Sequence, residues 1–346
     1  MSVDRVRLAL YRMESWLDSN LYRIRRTFGW IGPASIHPYR ELGTQRELSV
    51  HGRVLAGAQT REAHPDDSWG RNAAAVIRAL ASDEIPDAAI RARFGSDAVE
   101  TVTNDEGYFH ASVTSDGLAG WRDVEIELVD TPSVRATAQV LVPPEDAQFG
   151  VISDFDDTII VTDVPRPLRM ITLMLFRNAF SRQAFEGTAE LYRALAAGSD
   201  GTGSNPLFYV SSSSWNFYPM LEQFLEHNGF PAGPILLRDI GLEKDHFLAE
   251  GNEHKLGKLE RILKTYPKLL FLLIGDSGQD DPYLYAETMR RHPGRIRAIY
   301  IRDVSSKKRA AVAALAAQVN DQGSVMRLFS SAAEAAEWAR EAGWIA

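Results

Sequence analysis

Cysteine is absent from all 346 residues, which excludes disulfide frameworks, thiolate metal sites and cysteine nucleophiles. Also missing is an apolar run long enough to cross a bilayer. The longest runs, around Met170–Phe176 and Leu269–Ile274, fall far short of the roughly 20 residues a spanning helix needs. Excess positive charge is lacking too: 38 Lys and Arg against 46 Asp and Glu leave a formal net charge of -8, which argues against a broad nucleic-acid-binding face. The first residues hold no continuous apolar core followed by a small-residue cleavage site, so no secretory signal is read and the cytoplasm is the expected compartment. What is present is an ordinary globular balance, 45% hydrophobic and 24% charged, in a chain long enough for two domains with a core each.

Residues 3–28 set Val6, Leu10, Met13, Leu17, Leu21, Ile24 and Phe28 at helical spacing among several arginines, so residues 1–34 are expected to carry an N-terminal amphipathic helix. Its basic face has two readings: a solvated face of a helix packed on its own domain, and a contact with an anionic membrane surface. Residues 35–145 change character to strand-like runs at Glu47–Ala56, Ala98–Thr103, Tyr108–Val113, Val124–Leu128 and Val134–Val142. Short strands at this spacing predict a small β-sandwich-like domain, interrupted by a helical stretch near Arg71–Leu80 and turned by a hairpin at Asn104–Gly107. His51, His64 and His110 are scattered through it and read as surface or turn residues rather than ligands. Pro143–Asp146 reads as a linker.

Residues 146–346 alternate apolar strands (Phe149–Ser153, Leu207–Ser211, Ile235–Leu237, Leu269–Gly275, Ile296–Ile301) with helical stretches at Gly187–Ala197, Pro219–Asn228, Lys255–Tyr266 and Asp281–His292. That alternation predicts an α/β fold, a doubly wound parallel sheet covered on both faces, with ligands beyond the carboxyl ends of its strands. Polar residues gather at those ends. Asp154, Asp156 and Asp157 follow the first strand, and alternation sends Asp154 and Asp156 to one side. Carboxylates this close call for a divalent cation with the oxygen ligands Mg2+ prefers. After the second strand, Ser211 and the backbone N–H groups that follow, starting at Ser212, can hold phosphate oxygens or cap the next helix. Gly275 allows a sharp turn, and Asp276 and Asp280 can reach the same cation, whereas Asp281 before Pro282 reads as an acidic helix start. Lys255 and Lys258 are both candidates to offset charge on a transferred phosphate.

In order, Asp154, Asp156 and Thr158, then Ser211, then Lys255, then Asp276 with Asp280, resemble the four motifs of the haloacid dehalogenase superfamily of phosphohydrolases. The segments Ser211–Pro219, Ile235–Asp239, His254–Leu263 and Ile274–Glu287 narrow the resemblance to the catalytic domain of the actin-patch-protein type of phosphatidate phosphatase, over about residues 149–303. The resemblance implies a haloacid-dehalogenase-like Rossmannoid domain that hydrolyses phosphatidic acid, or a soluble phosphomonoester, through an aspartyl phosphate; the rival reading is a non-catalytic lipid-binding or scaffold protein that keeps this fold. Asp154 would be the nucleophile, Asp156 the general acid and base, and Lys255 the residue serving the phosphate. Mg2+ would be held by Asp154, the Asp156 carbonyl and Asp276, with Asp280 in or near the shell. Thr158 would orient the acids, and Ser211, Ser212 and Lys258 would lie on the phosphate side. In this superfamily the stretch between the first two motifs admits a cap. Here Pro165–Arg177 is an apolar helix flanked by Arg166, Arg169 and Arg177, read either as a peripheral membrane-surface contact or as packing on the core.

Overall fold

A computed structural model describes residues 33–57, 83–155, 186–238 and 251–346, with the side chains of residues 83 and 251–253 left aside. The expected helix in residues 3–28, the helical stretch at 71–80, the segment 165–177, and His64, Asp156, Asp157 and Thr158 lie outside the described residues. The chain divides into two compact units, one built mainly from residues 45–117 and 121–140, the other mainly from 141–346.

The first unit contains β1 (Ala34–Tyr39), β2 (Glu41–Leu42), β3 (Glu47–Ala56), β4 (Asp83–Glu84), β5 (Ala89–Phe94), β6 (Asp97–Val102), β7 (Tyr108–Thr114), β8 (Gly120–Leu128) and β9 (Arg135–Val142). One sheet runs β1-β3-β4 with β7 also on β3, and the other runs β2-β9-β8-β5-β6. The resolved pairings of β1, β4 and β7 with β3, and of β6 and β8 with β5, are antiparallel. Apolar residues on alternate positions, such as Val124 and Ile126 of β8, supply the core. β1 and β5 escaped the sequence reading because Ser35, His37 and Pro38, or Arg91 and Arg93, interrupt their apolar pattern. At Asn104–Gly107 the expected turn forms. Asn104 Oδ1 accepts the N–H groups of Glu106 and Tyr108 at 3.0 and 2.8 Å, and Gly107 takes a φ of 77°. It joins β6 to β7, which belong to different sheets, so it is a crossing between sheets rather than a hairpin. His51 also departs from its reading. It is buried in β3, opposite Tyr39 and His110, with Nδ1 3.8 Å from the buried Glu41.

The second unit holds a six-stranded sheet: β10 (Gly150–Asp154), β11 (Leu207–Ser214), β12 (Ile235–Arg238), β13 (Phe271–Asp276), β14 (Ile296–Arg302) and β15 (Met326–Phe329). All five pairings are parallel, in the order β12-β11-β10-β13-β14-β15. Between and after the strands come α1 (Thr188–Ala197), α2 (Tyr218–His227), α3 (Gly251–Thr265), α4 (Asp281–Arg291), α5 (Arg309–Asp321) and α6 (Ala332–Glu341). Every residue of β10 and β13 is buried, and because successive side chains point to opposite faces, both faces of the sheet are covered there. α5, β15 and α6 extend the alternation past the last strand read from sequence, carried by Val312, Ala316, Met326, Phe329, Ala335 and Ala339. The chain leaves β10 toward β11 and β12, then returns to the other side of β10 for β13 and β14. Strand order therefore reverses between β10 and β13, and the crevice of an open parallel sheet forms at the carboxyl ends of that pair. Among the described residues no helix is long and apolar enough to cross a membrane.

Candidate active site

Asp154 is the last residue of β10 and Asp276 the last of β13, so the reversal of strand order sets two carboxylates side by side at the crevice. A third, Asp281, arrives from the first turn of α4. One carboxylate oxygen from each lies within 4.8 Å of the others, and their residues are 0%, 0% and 1% exposed. At such separations, with an effective dielectric constant near 20, like charges repel by about 3.5 kcal/mol or more per pair. Lys255, 3% exposed on α3, meets this charge: its Nζ donates to Asp154 Oδ1 at 2.6 Å and to Asp281 Oδ1. Burial alone would pull the lysine pKa down, but the charges of Asp154 and Asp281 and their hydrogen bonds outweigh it and raise the pKa above its usual value. The ring of Tyr285 lies 6.0 Å from the same ammonium. Its hydroxyl donates to the Ile274 carbonyl at 3.2 Å, and burial, followed by the neighbouring carboxylates, keeps it protonated far above the usual phenol range.

Among the described residues, three carboxylates against one ammonium in direct contact leave about two negative charges. Arg302 offsets part of this by acting on Asp276 from further off, and burial lowers its own pKa to about 10. An all-oxygen donor set with that charge balance fits a divalent hard cation. Asp154 and Asp276 would be its carboxylate ligands, since Asp281 is committed elsewhere: Oδ1 to Lys255 and Oδ2 to the Asp276 backbone N–H at 3.3 Å.

Among the described residues Asp281, rather than Asp280, is the aspartate grouped with Asp154 and Asp276. Asp280 is the N-cap of α4, and its Oδ1 is 3.8 Å from Lys308 Nζ. Two adjacent aspartates at a helix start diverge by about 100°, and only the tertiary fold decides which turns inward. A helix-start role accounted for Asp281 so well from sequence that nothing marked it as the partner of Lys255. The expected turn at Gly275 also takes another form. Gly275 lies within β13, and a Cβ there would sit 2.6 Å from Asp281 Oδ2 and 2.7 Å from the Tyr285 ring. The glycine is needed for close approach, not for bending.

Lys255 is the lysine that meets Asp154 and Asp281, whereas Lys258 Nζ donates to the Ser211 carbonyl, within β11, at 2.8 Å. Ser211 is fully buried at the crevice end of β11, and its Oγ accepts the Ser213 N–H at 3.0 Å. Ser211–Ser214 continue the strand, and Ser212 is half-buried. The short 3-10 turn Trp215–Phe217 and α2 begin without a serine side-chain cap, so helix capping does not account for the serine run. Beneath Asp154, Ser153 Oγ donates to the Asp154 carbonyl at 2.8 Å and lies 2.5 Å from the Tyr192 hydroxyl, whose pKa burial raises.

Residues 149–303 match the family model described as the catalytic domain of phosphatidate phosphatase APP1. Phosphatidate phosphatase APP1 of Saccharomyces cerevisiae is 34% identical over 159 residues, 46% of this chain and 26% of that protein. An uncharacterized protein of Schizosaccharomyces pombe is 29% identical over 216 residues, 59% of this chain and 34% of that one. The chain thus spans about a quarter to a third of the length of the curated relatives it matches. Among solved structures, a carbohydrate acetylesterase from Xanthomonas citri gives a TM-score of 0.28 at 13% identity, covering 81% of this chain and 72% of that one, too low to carry an argument. Residues 149–303, with Asp154, Ser211, Lys255, Asp276 and Asp281 along them, belong to the family of the phosphatidate phosphatase APP1 catalytic domain.

Proposed function

We propose that this chain is a Mg2+-dependent phosphatase of the haloacid dehalogenase superfamily, converting phosphatidic acid to diacylglycerol through an aspartyl phosphate on Asp154. The observation that carries this reading is the buried grip of Lys255 on Asp154 and Asp281, beside Asp276, inside a segment that matches a phosphatase catalytic domain. The Asp154 carboxylate attacks phosphorus, the ester P–O bond breaks, and the departing alkoxide takes a proton from Asp156. Asp156 then removes a proton from water as the water oxygen bonds to phosphorus and the phosphoryl bond to Asp154 breaks, releasing inorganic phosphate.

An ammonium 2.6 Å from Asp154 keeps that carboxylate ionised and therefore nucleophilic, while Asp281 holds the ammonium in place. Asp154 and Asp276, with the Asp156 carbonyl, are the proposed donors to Mg2+. When bound, the cation supplies positive charge against the phosphoryl oxygens and lets two carboxylates and a phosphate share one pocket. Thr158, Ser211 and Ser212 form the proposed phosphate side, with Lys258 holding the Ser211 carbonyl. The proposed setting is the cytoplasmic surface of a membrane, with the segment 165–177 at the lipid.

Phosphate release from phosphatidic acid in mixed micelles and from soluble phosphomonoesters, with Mg2+ or EDTA and with Asp154→Asn as the blank, tests the reading. Lipid preference abolished by EDTA and by the substitution supports it. Turnover of soluble esters alone would discard the lipid and keep the chemistry. Absence of metal-dependent turnover on every ester would overturn both.

A further inference from the structure

The loop between β13 and α4 presents Asp276, and its shape is held from outside by a residue beyond the matched segment. Asp276 Oδ1 accepts the backbone N–H groups of Gly278 at 2.6 Å and Gln279 at 3.1 Å, so the loop wraps one oxygen of the carboxylate. The carbonyls of the same two residues face Lys308, the N-cap of α5. Its Nζ donates to the Gly278 carbonyl at 2.9 Å and to the Gln279 carbonyl at 3.0 Å, with Asp280 Oδ1 3.8 Å away. The Gly278 carbonyl and the Gln279 N–H belong to one peptide group, so this peptide links the lysine cation to the aspartate anion. A cation on its oxygen polarises the peptide and strengthens the N–H that faces the carboxylate. Ser277 ties the other shoulder of the loop to the end of β14: its N–H donates to the Arg302 carbonyl at 2.8 Å, and its Oγ accepts the N–H groups of Val304 at 2.9 Å and Ser305 at 3.0 Å.

We infer that Lys308 is a positioning residue for Asp276, clamping the Gly278–Gln279 peptide so that the carboxylate is held in the orientation required of a cation ligand. The inference rests on the reading of Asp276 as a ligand, and its sequence signal is weak, since a lysine in the polar run Ser305–Arg309 looks like ordinary surface charge. Ligand-orienting groups of this kind typically contribute tenfold to a hundredfold in metal affinity. Arginine can donate to both carbonyls, whereas methionine has the length but no donor.

The test is the dissociation constant of Mn2+, measured by titration calorimetry on the full metal-free chain, for wild type, Lys308→Met and Lys308→Arg. It is paired with amide hydrogen exchange of the same metal-free proteins. Lys308→Met is expected to weaken Mn2+ binding about tenfold and to speed exchange at Gly278 and Gln279, with the β13 amides unchanged, and Lys308→Arg to recover most of both. Wild-type affinity and wild-type exchange in Lys308→Met would overturn the inference, as would an arginine variant no better than methionine. If the wild-type chain binds no Mn2+, the ligand reading of Asp276 fails instead, and the exchange at Gly278 and Gln279 alone then decides whether Lys308 holds the loop.

Discussion

Adding one methyl group at Gly275 tests whether Asp281 and Lys255 act as a unit with Asp154. A Cβ at this position would stand 2.6 Å from Asp281 Oδ2, 2.7 Å from Tyr285 Cε2 and 2.9 Å from Asp281 Cβ, about 0.8 Å inside ordinary contact at its nearest point. Neither neighbour yields freely: Tyr285 is fully buried and Asp281 is bonded to Lys255 and to the Asp276 N–H. Overpacking of this kind costs about 1–3 kcal/mol. Were the Lys255–Asp281 pair broken outright, a buried charge would be left uncompensated at about 3–5 kcal/mol. Gly275→Ala is therefore expected to lower unfolding free energy by about 2 kcal/mol in urea and to reduce turnover at least about tenfold, since 1.4 kcal/mol of lost orientation already accounts for that factor. Gly257→Ala is the control. It lies on α3 between the two lysines with open space around its Cβ, and it should stabilise by about 0.4–1 kcal/mol without loss of turnover. Wild-type stability and turnover in Gly275→Ala would refute the claim that Asp281 is held where Lys255 needs it.

Asp281→Asn is expected to lower turnover far more than Asp280→Asn, because Asp281 bonds Lys255 while Asp280 lies near Lys308; equal effects in steady-state kinetics would refute the importance of the Asp281–Lys255 pair. Mg2+ added to the metal-free chain should raise its thermal midpoint, by the equivalent of about 2.7 kcal/mol at a hundredfold excess over the dissociation constant, and a midpoint indifferent to Mg2+ would argue against a cation between Asp154 and Asp276. The pKa of Lys255 is raised on folding, so its contribution is fully present below the unfolded value near 10.4 and is lost as pH climbs above it. Urea unfolding of wild type and Lys255→Met between pH 7 and 11 should show a gap that stays constant to about pH 10 and only then begins to narrow; a gap already narrowing near neutrality would contradict the raised pKa.

How much of this was legible in sequence follows from the kind of information each feature needs. Apolar runs such as Val151–Ile152 and Phe271–Ile274 mark buried strands by themselves, and polar residues at their ends announced the crevice because a parallel sheet puts all its carboxyl ends on one side. Lys255 was one of two readings from its residues alone, since about one turn of helix separates the two lysines in the first half of α3. Asp281, Gly275 and Lys308 were beyond reach for a common reason: each acts through a contact set by another element. Asp281 needs α3 to bring the lysine, Gly275 needs α4 to bring Asp281, and Lys308 needs α5 to start beside the β13 loop. Local patterns report what a residue does for its own helix or strand, so a residue with an adequate local role, such as a helix-start aspartate, conceals a second one. The site accordingly divides into two classes. Asp154 and Asp276 sit at strand ends, where a buried carboxylate is costly without a counter-charge and is therefore conspicuous. The residues that keep those acids charged and aimed are inconspicuous, and it is on them that substitutions such as Gly275→Ala and Lys308→Met discriminate a working site from a merely well-packed one.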